Sequence, residues 1–169
     1  MARCFWITGL SASGKTTMSR MLYEHYTHAG INTILLDGDE LRDIFSNHLY
    51  TRSDRLKVGL SYSRLCKHLV SQNVNVIIAV IGLFKEIHYW NRKNIPEYCE
   101  IFIDTPIEEL KKRDPKGIYK LYDEGKTNNV AGLDLKVDYP ENPDIHIKWA
   151  PKLDKENMFN LLLENLQKL

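Results

Sequence analysis

The sequence predicts a three-layer α/β/α fold in which helices cover both faces of a mainly parallel, five-stranded sheet. Short apolar, β-prone segments alternate along the chain with longer segments whose apolar residues recur at helical spacing. The segment 75–82 is almost continuously apolar, as expected of a central parallel strand that is covered on both faces. With 169 residues and no internal repeat, residues 1–169 are expected to form one domain with one substantial core.

The elements follow from the pattern taken in chain order. Strands are predicted over residues 4–8, 32–36, 75–82, 100–104 and 144–149. Helices are predicted over residues 17–26, 56–71, 84–93, 106–112 and 155–169. Gly30 is typical of a helix end, and Pro106 suits the first turn of a helix. The polar stretches 43–50 and 125–143 are expected to be irregular, and His88 is expected on the surface.

Composition excludes several classes of protein. The formal net charge is +1, so no polyanion-binding tail is present and nucleic acid polymers are not expected as partners. Cys4, Cys66 and Cys99 are isolated in apolar surroundings, which indicates reduced, buried thiols of a cytoplasmic protein. The N-terminus lacks the layout of a signal peptide, and no apolar run reaches transmembrane length, so no membrane contact is expected.

A glycine-rich segment between the first predicted strand and the first predicted helix matches the phosphate-loop pattern G-x-x-x-x-G-K-[ST] in full. Backbone N–H groups of such a loop, together with the helix N-terminus, bind phosphate groups. The lysine can reach the β- and γ-phosphates of ATP, and the hydroxyl after it can ligate Mg²⁺. The sequence therefore predicts a phosphate-loop NTPase fold with ATP and Mg²⁺ bound by Gly9, Leu10, Ser11, Ala12, Ser13, Gly14, Lys15, Thr16 and Thr17.

Two further segments suit this chemistry. Asp37 and Asp39 follow the second predicted strand, at the sheet edge where open α/β sheets bind ligands. A turn with a helix N-cap is the alternative explanation for Asp-Gly-Asp. The basic segment 111–120 is either a solvated helix face or a lid that closes on ATP and supplies positive charge to the phosphoryl group.

These motifs together resemble the adenylylsulfate kinases, small phosphate-loop enzymes that phosphorylate the 3′-hydroxyl of adenosine 5′-phosphosulfate. The resemblance spans most of the chain. Beyond the phosphate loop, it is carried by the motifs Leu-Asp-Gly-Asp-Glu-Leu-Arg (36–42), Ser-Asp-Arg (53–55), Phe-Ile-Asp-Thr-Pro (102–106), Arg-Asp-Pro-Lys-Gly-Ile-Tyr-Lys (113–120) and Ala-Gly-Leu-Asp (131–134).

The resemblance implies roles for individual residues. Asp39 would be the base or orienting group for the acceptor hydroxyl, with Lys15 and Asp37 as the other catalytic residues, and Asp37 with Thr16 would hold Mg²⁺. Which of the two aspartates acts as the base is left open. Arg113 would contact ATP. The acceptor nucleotide would be bound by Asp39, Arg42, Tyr50, Arg55, Ile81, Gly82, Val130 and the lid residues Lys116, Gly117, Ile118 and Tyr119.

Departures from the family pattern cluster where the acceptor would bind. The expected Asn-Ile-Arg-Arg run is replaced by Val58-Gly59-Leu60-Ser61, and Phe-Ile-Ser-Pro by Val80-Ile81-Gly82-Leu83. Of the two phenylalanines that clamp adenine in the family, one corresponds to Tyr50, allowing a one-residue gap, and the other to Val130.

An intact donor side with a rewritten acceptor side resembles the cytidine diphosphoramidate kinase branch of the family, which acts in bacterial capsule phosphoramidate pathways. The acceptor would then be the ribose 3′-hydroxyl of cytidine 5′-diphosphoramidate. An adenylylsulfate kinase with a divergent pocket, and a non-catalytic nucleotide-binding regulatory module, are the alternatives. Lys15, Thr16, Asp37 and Asp39 argue against the module. The oligomeric state is left open, with a homodimer as one option.

Overall fold

The computed structural model describes residues 1–169 and contains a five-stranded sheet in which every neighbouring pair of strands is parallel. The strand order is β2-β3-β1-β4-β5, with β1 in the centre. This arrangement confirms the predicted three-layer fold. The strands are β1 (Cys4–Thr8), β2 (Thr33–Asp37), β3 (Asn75–Val80), β4 (Tyr98–Asp104) and β5 (Ile145–Lys148).

Seven helices connect and flank the strands. They are α1 (Lys15–His28), α2 (Gly38–Ile44), α3 (Arg52–Ser71), α4 (Lys85–Asn94), α5 (Ile107–Arg113), α6 (Ile118–Asp123) and α7 (Lys155–Leu166). The larger apolar cluster joins α3 and α4 to one face of the sheet, and the smaller cluster joins α1 and α7 to the other. No helix is both long enough and apolar enough to cross a membrane.

Strand β1 explains why the central strands have continuous apolar sequences. Cys4 and Trp6 point into the larger cluster, while Phe5 and Ile7 point into the smaller one, and all four are at most 1% exposed. A parallel strand covered on both faces has no polar side. The three cysteines are free and buried, as the sequence predicted.

The strand register brings the functional segments to one edge of the sheet. Thr8, the last residue of β1, is paired with Val80 at the end of β3, and Asp37 at the end of β2 is paired with Ala79. The phosphate loop and the Asp-Gly-Asp segment therefore leave neighbouring parts of the same carboxyl edge, where open α/β sheets bind ligands.

Three local predictions were wrong. Residues 38–44 form α2, a helix that was not predicted and that takes in residues 43 and 44 of the stretch expected to be irregular. The Asp37 side chain caps this helix by accepting a hydrogen bond from the Asp39 N–H. Helix α6 in the basic segment was not predicted, since six residues are too few for a clear period. His88 is buried instead of exposed, and its Nε2 lies 2.9 Å from the Gly82 carbonyl oxygen.

Candidate active site

The phosphate loop has the backbone form that its motif requires. Gly9 has φ 156°, and a Cβ atom at this position would lie 2.6 Å from the Ile103 carbonyl oxygen, so only glycine fits. Gly14 is the N-cap of α1, so Lys15 and Thr16 lie in the first turn of that helix. The positive end of the helix and the free N–H groups of its first turn are therefore available to an anion.

Lys15 is positioned by the loop itself. Its Nζ donates a hydrogen bond to the Leu10 carbonyl oxygen at 2.7 Å, which folds the side chain back along the loop. Burial, and after it the ammonium group of Lys116, lowers the pKa of Lys15 to about 8, while Asp39 and Asp37 act in the opposite direction. A lysine that is partly deprotonated in the free protein becomes more protonated when phosphate binds beside it.

Thr16, Asp37 and Asp39 form a linked set beside the loop. The Thr16 hydroxyl donates to Asp37 Oδ2 at 2.8 Å, and Asp37 Oδ1 accepts from the Asp39 backbone N–H at 2.9 Å. A hydroxyl and a carboxylate are the hard oxygen donors that Mg²⁺ prefers, and Mg²⁺ usually takes its other ligands from phosphates and water. No cluster of three or more His, Cys, Asp or Glu side chains could hold a metal alone. The residues present therefore fit Mg²⁺ held jointly with a nucleotide.

The lid segment is attached to both the phosphate loop and Asp39. Tyr119, 1% exposed, donates its hydroxyl to the Ser11 carbonyl oxygen at 3.0 Å, and burial raises its pKa to about 12. Lys116 forms an ion pair with Asp39, whose side chain is 66% exposed. An exposed ion pair contributes about 0–1 kcal/mol. The base of the lid, at Tyr119, is thus fixed by a buried hydrogen bond, whereas its tip, at Lys116, is held only by an exposed ion pair.

The predicted lid residues are therefore not equivalent. Gly117 is the N-cap of α6 and Ile118 its first residue, so both lie between the weakly held tip and the fixed base. Tyr119 is committed to the phosphate loop and is not exposed toward an acceptor. Arg113, predicted to contact ATP, is the exposed last residue of α5.

Two arginines converge on Tyr50. The guanidinium carbon of Arg42 lies 4.6 Å from the centre of the Tyr50 ring, and that of Arg55 lies 5.2 Å from it. Arg55 Nε also donates to the Tyr50 carbonyl oxygen at 3.0 Å, and Arg42 Nη1 donates to the Leu49 carbonyl oxygen at 3.0 Å. A base that stacks on Tyr50 must therefore share the ring with a guanidinium group or displace it.

Arg55 also connects Tyr50 with the segment that contains Val130. Its Nη2 donates to the Asn129 carbonyl oxygen at 3.0 Å. The Asp134 carboxylate accepts hydrogen bonds from the N–H groups of Asn129 and Val130, both at 2.8 Å, which fixes this loop. Burial, followed by Arg42, lowers the pKa of Arg55 to about 10. Arg55 thus links the two segments that correspond to the family's aromatic clamp, one with Tyr50 and the other with Val130.

The remaining predicted acceptor residues, Ile81 and Gly82, follow β3. The Ile81 carbonyl oxygen accepts a hydrogen bond from the Thr8 hydroxyl. Gly82 has φ 48°, and a Cβ atom there would lie 3.1 Å from the Trp6 ring, so packing against β1 already accounts for the glycine. Its carbonyl oxygen is the partner of His88.

Two residues near the acceptor side were not predicted as site residues. Asp134 appeared only as part of a motif, although its hydrogen bonds shape the loop that bears Val130. Tyr62 on α3 is 4% exposed, and its hydroxyl has no hydrogen-bond partner. Tyr62 could have been predicted as a site residue, because it lies seven residues after Arg55 in the same helix and residues at this spacing share a helix face.

Comparison with known proteins agrees with this geometry. Residues 1–148 match the family model described as adenylylsulphate kinase. A cytidine diphosphoramidate kinase of Campylobacter jejuni is 38% identical over 161 residues, which cover 95% of this chain and 94% of that protein. An adenylyl-sulfate kinase of Clostridium kluyveri is 35% identical over 142 residues, covering 83% of this chain and 71% of that protein.

A solved structure gives the same result for the fold. The Mycobacterium tuberculosis APS kinase CysC, in complex with AMPPNP and APS, superposes with a TM-score of 0.89 at 27% sequence identity. The superposition covers 98% of each chain. The likeness therefore extends over the phosphate loop, the lid segment and the acceptor side alike.

Proposed function

This chain belongs to the adenylylsulphate kinase family and is a nucleotide kinase, and on that premise we propose that its acceptor is cytidine 5′-diphosphoramidate. In the proposed reaction the γ-phosphoryl group of ATP is transferred to the ribose 3′-hydroxyl of that nucleotide. ADP and the 3′-phosphorylated nucleotide are the products.

The observation that carries the choice of acceptor is that Arg55 joins Tyr50 to the loop of Val130, by donating to the carbonyl oxygens of Tyr50 and of Asn129, the residue before Val130. An aromatic ring on one side and a short aliphatic side chain on the other support stacking of a base on one face only. Stacking on an aromatic side chain is worth about 1–3 kcal/mol per base, so the loss of one ring penalises a large purine most. A pyrimidine has less ring surface to lose when the second aromatic ring is absent.

The donor side would act mainly by positioning and by neutralising charge. The loop N–H groups and Lys15 would hold the phosphates. The positive charge of Lys15 would stabilise the negative charge that develops during transfer. Thr16 and Asp37 would hold Mg²⁺ together with the nucleotide, and the metal would supply positive charge to the phosphates. Asp37 would also keep Thr16 oriented through the bond that joins them.

The acceptor side would supply the base. Asp39 would accept the proton of the 3′-hydroxyl as its oxygen attacks the γ-phosphorus, and the bond to the β-phosphate oxygen breaks. In the present structure Asp39 is paired with Lys116, so this pair must open or rearrange as the acceptor enters. Because the pair is exposed, that step costs little, and Lys116 is then free to meet the transferring phosphoryl group.

An adenylylsulfate kinase is the second candidate, and one observation favours it. Arg42 and Arg55 both lie within 5.2 Å of the Tyr50 ring, so two cations are available on the acceptor side. An anionic sulfate end group is best held by such cations. The phosphate groups of cytidine 5′-diphosphoramidate are also anionic, however, so the two arginines suit either nucleotide. The absence of the second aromatic ring favours the cytidine nucleotide over adenosine 5′-phosphosulfate.

The test is ATP-dependent turnover with each nucleotide, followed by mapping of the new phosphate on the product by ³¹P–¹H correlation NMR. We expect ADP release with cytidine 5′-diphosphoramidate and a phosphate on the ribose 3′-oxygen. The Lys15→Ala variant, prepared identically, controls for contaminating kinases and should lose about 10²-fold or more in turnover. Tight ATP binding without turnover of either nucleotide would instead indicate a non-catalytic module. Phosphate on the diphosphoramidate end would show that the acceptor lies in the opposite direction.

A further inference from the structure

Tyr62 on α3 is a buried polar side chain that the mechanism above does not use. The residue is 4% exposed, and its hydroxyl oxygen has no hydrogen-bond partner. A buried hydroxyl without a partner lowers stability relative to phenylalanine in the same place. The chain therefore retains an oxygen atom at a position where folding alone favours a plain aromatic ring.

The face of α3 that bears Tyr62 is directed toward the acceptor side. Arg55, Val58 and Tyr62 are spaced at i, i+3 and i+7, so they lie on one face of the helix. At one end of this face Arg55 reaches the Asn129 carbonyl oxygen. Val58 and Tyr62 both belong to the apolar cluster that includes Leu41 of α2. Tyr62 also lies beside Phe45, the C-cap residue of α2, so this face extends from the loop that contains Val130 towards the end of α2.

The surroundings of Tyr62 contain the groups assigned above to the acceptor. Burial raises the pKa of Tyr62, and of its neighbours Arg42 lowers that pKa whereas Asp39 and Tyr50 raise it. The ring of Phe45 lies 6.3 Å from the Tyr62 ring at an interplanar angle of 31°. Phe45 is itself 58% exposed. The cover over Tyr62 on this side is thus a solvent-exposed ring that an entering ligand can displace.

We propose that the Tyr62 hydroxyl hydrogen-bonds to the acceptor nucleotide, between the ribose at Asp39 and the base at Tyr50. This inference rests on the proposed function. It also gives a reason for a substitution noted in the sequence, where Val58 replaces an asparagine of the family pattern. Tyr62 lies one helical turn further along the same face, so it restores a polar contact that Val58 cannot make.

The experiment compares Tyr62→Phe with a matched variant, Tyr98→Phe. Tyr98 is the first residue of β4, so it lies at the amino ends of the strands, away from the carboxyl edge that bears the site. Its hydroxyl donates to Glu100 Oε1 at 2.8 Å. For each protein, KM for ATP, KM and kcat/KM for both nucleotide acceptors, and Tm are measured. Both variants remove a tyrosine hydroxyl oxygen. In Tyr62 this oxygen has no hydrogen-bond partner, whereas in Tyr98 it donates to Glu100 and accepts from Asn91 Nδ2.

For Tyr62→Phe we expect kcat/KM of the preferred acceptor to fall about 3- to 10-fold, the range for loss of one hydrogen bond. KM for ATP should be unchanged, and Tm should be equal or higher because an unpaired buried hydroxyl has been removed. For Tyr98→Phe we expect the reverse, a lower Tm with unchanged acceptor kinetics. This crossed pattern supports an acceptor contact, because a purely structural role of Tyr62 would not change KM for one substrate alone.

Acceptor kinetics of Tyr62→Phe within twofold of the parent, in an enzyme that turns over either nucleotide, would overturn the proposal and leave the proposed function intact. Equal losses for ATP and for the acceptor would also overturn it, since they indicate a general distortion of the site. If the parent protein turns over neither nucleotide, the proposed function fails, and the assignment of Tyr62 fails with it.

Discussion

The affinity of the protein for ATP should fall about tenfold between pH 7 and pH 9 because of Lys15. With a pKa of about 8 in the free protein, Lys15 is about nine-tenths protonated at pH 7 and about one-tenth at pH 9. Bound phosphates favour the charged form and return the pKa toward its ordinary value of about 10.4. As pH rises through 8, Lys15 must take up a proton for ATP to bind, so ATP binds more weakly. A tenfold loss of affinity corresponds to about 1.4 kcal/mol.

Isothermal titration calorimetry measures this effect directly. At pH 8.5 the γ-phosphate of ATP is fully ionised, so proton uptake on binding reports on the protein. Titrations in buffers of different ionisation enthalpy should give uptake of about three-quarters of a proton per ATP, the unprotonated fraction of a group with pKa about 8. In Lys15→Arg the guanidinium does not titrate, so uptake should vanish. No uptake in the parent, or equal uptake in the variant, would refute the role of Lys15.

Two further predictions concern the lid and the base. Asp39→Asn should lower kcat about 10²–10⁴-fold while ATP affinity changes little, because the carboxylate that receives the proton is lost; a collapse of ATP affinity with single-turnover chemistry retained would make Asp37 the better candidate for the base. Tyr119→Phe removes the 3.0 Å bond to the Ser11 carbonyl oxygen, worth about 1 kcal/mol, so Tm should fall by about 2–4 °C and amides of α6 should exchange faster with solvent. Unchanged exchange in α6 would show that the lid is anchored elsewhere.

The sheet and the phosphate loop could be predicted because local chemistry dictates them. Predicted strands and helices alternate along the chain, which indicates a parallel sheet. The phosphate-loop motif indicates a strand before it and a helix after it. The Asp-Gly-Asp segment was harder, because Asp37 is both the N-cap of α2 and the hydrogen-bond partner of Thr16. The cap that the sequence offered as one explanation is present, and the functional role of the two aspartates stays a prediction.

The arrangement of the acceptor side could not be predicted in detail because it depends on distant contacts. Arg55 joins the carbonyl groups of Tyr50 and Asn129, and the latter is 74 residues away along the chain. His88 was expected at the surface because its own segment is polar, but its ring nitrogen meets the Gly82 carbonyl oxygen below α4. The burial of Tyr62 likewise depends on distant parts of the chain, since it belongs to the larger apolar cluster and lies beside Phe45 at the end of α2, which the sequence did not predict as a helix.

The choice of acceptor is tested most directly by competition. Cytidine 5′-diphosphoramidate and adenosine 5′-phosphosulfate are supplied together at equal concentrations below their KM values, with saturating ATP, and early products are separated by chromatography. Under these conditions the product ratio equals the ratio of the two kcat/KM values. We predict at least a tenfold excess of the 3′-phosphorylated cytidine product, equivalent to about 1.4 kcal/mol of transition-state binding. An equal or greater yield of the adenylyl product would contradict the account and make the protein an adenylylsulfate kinase with an altered pocket.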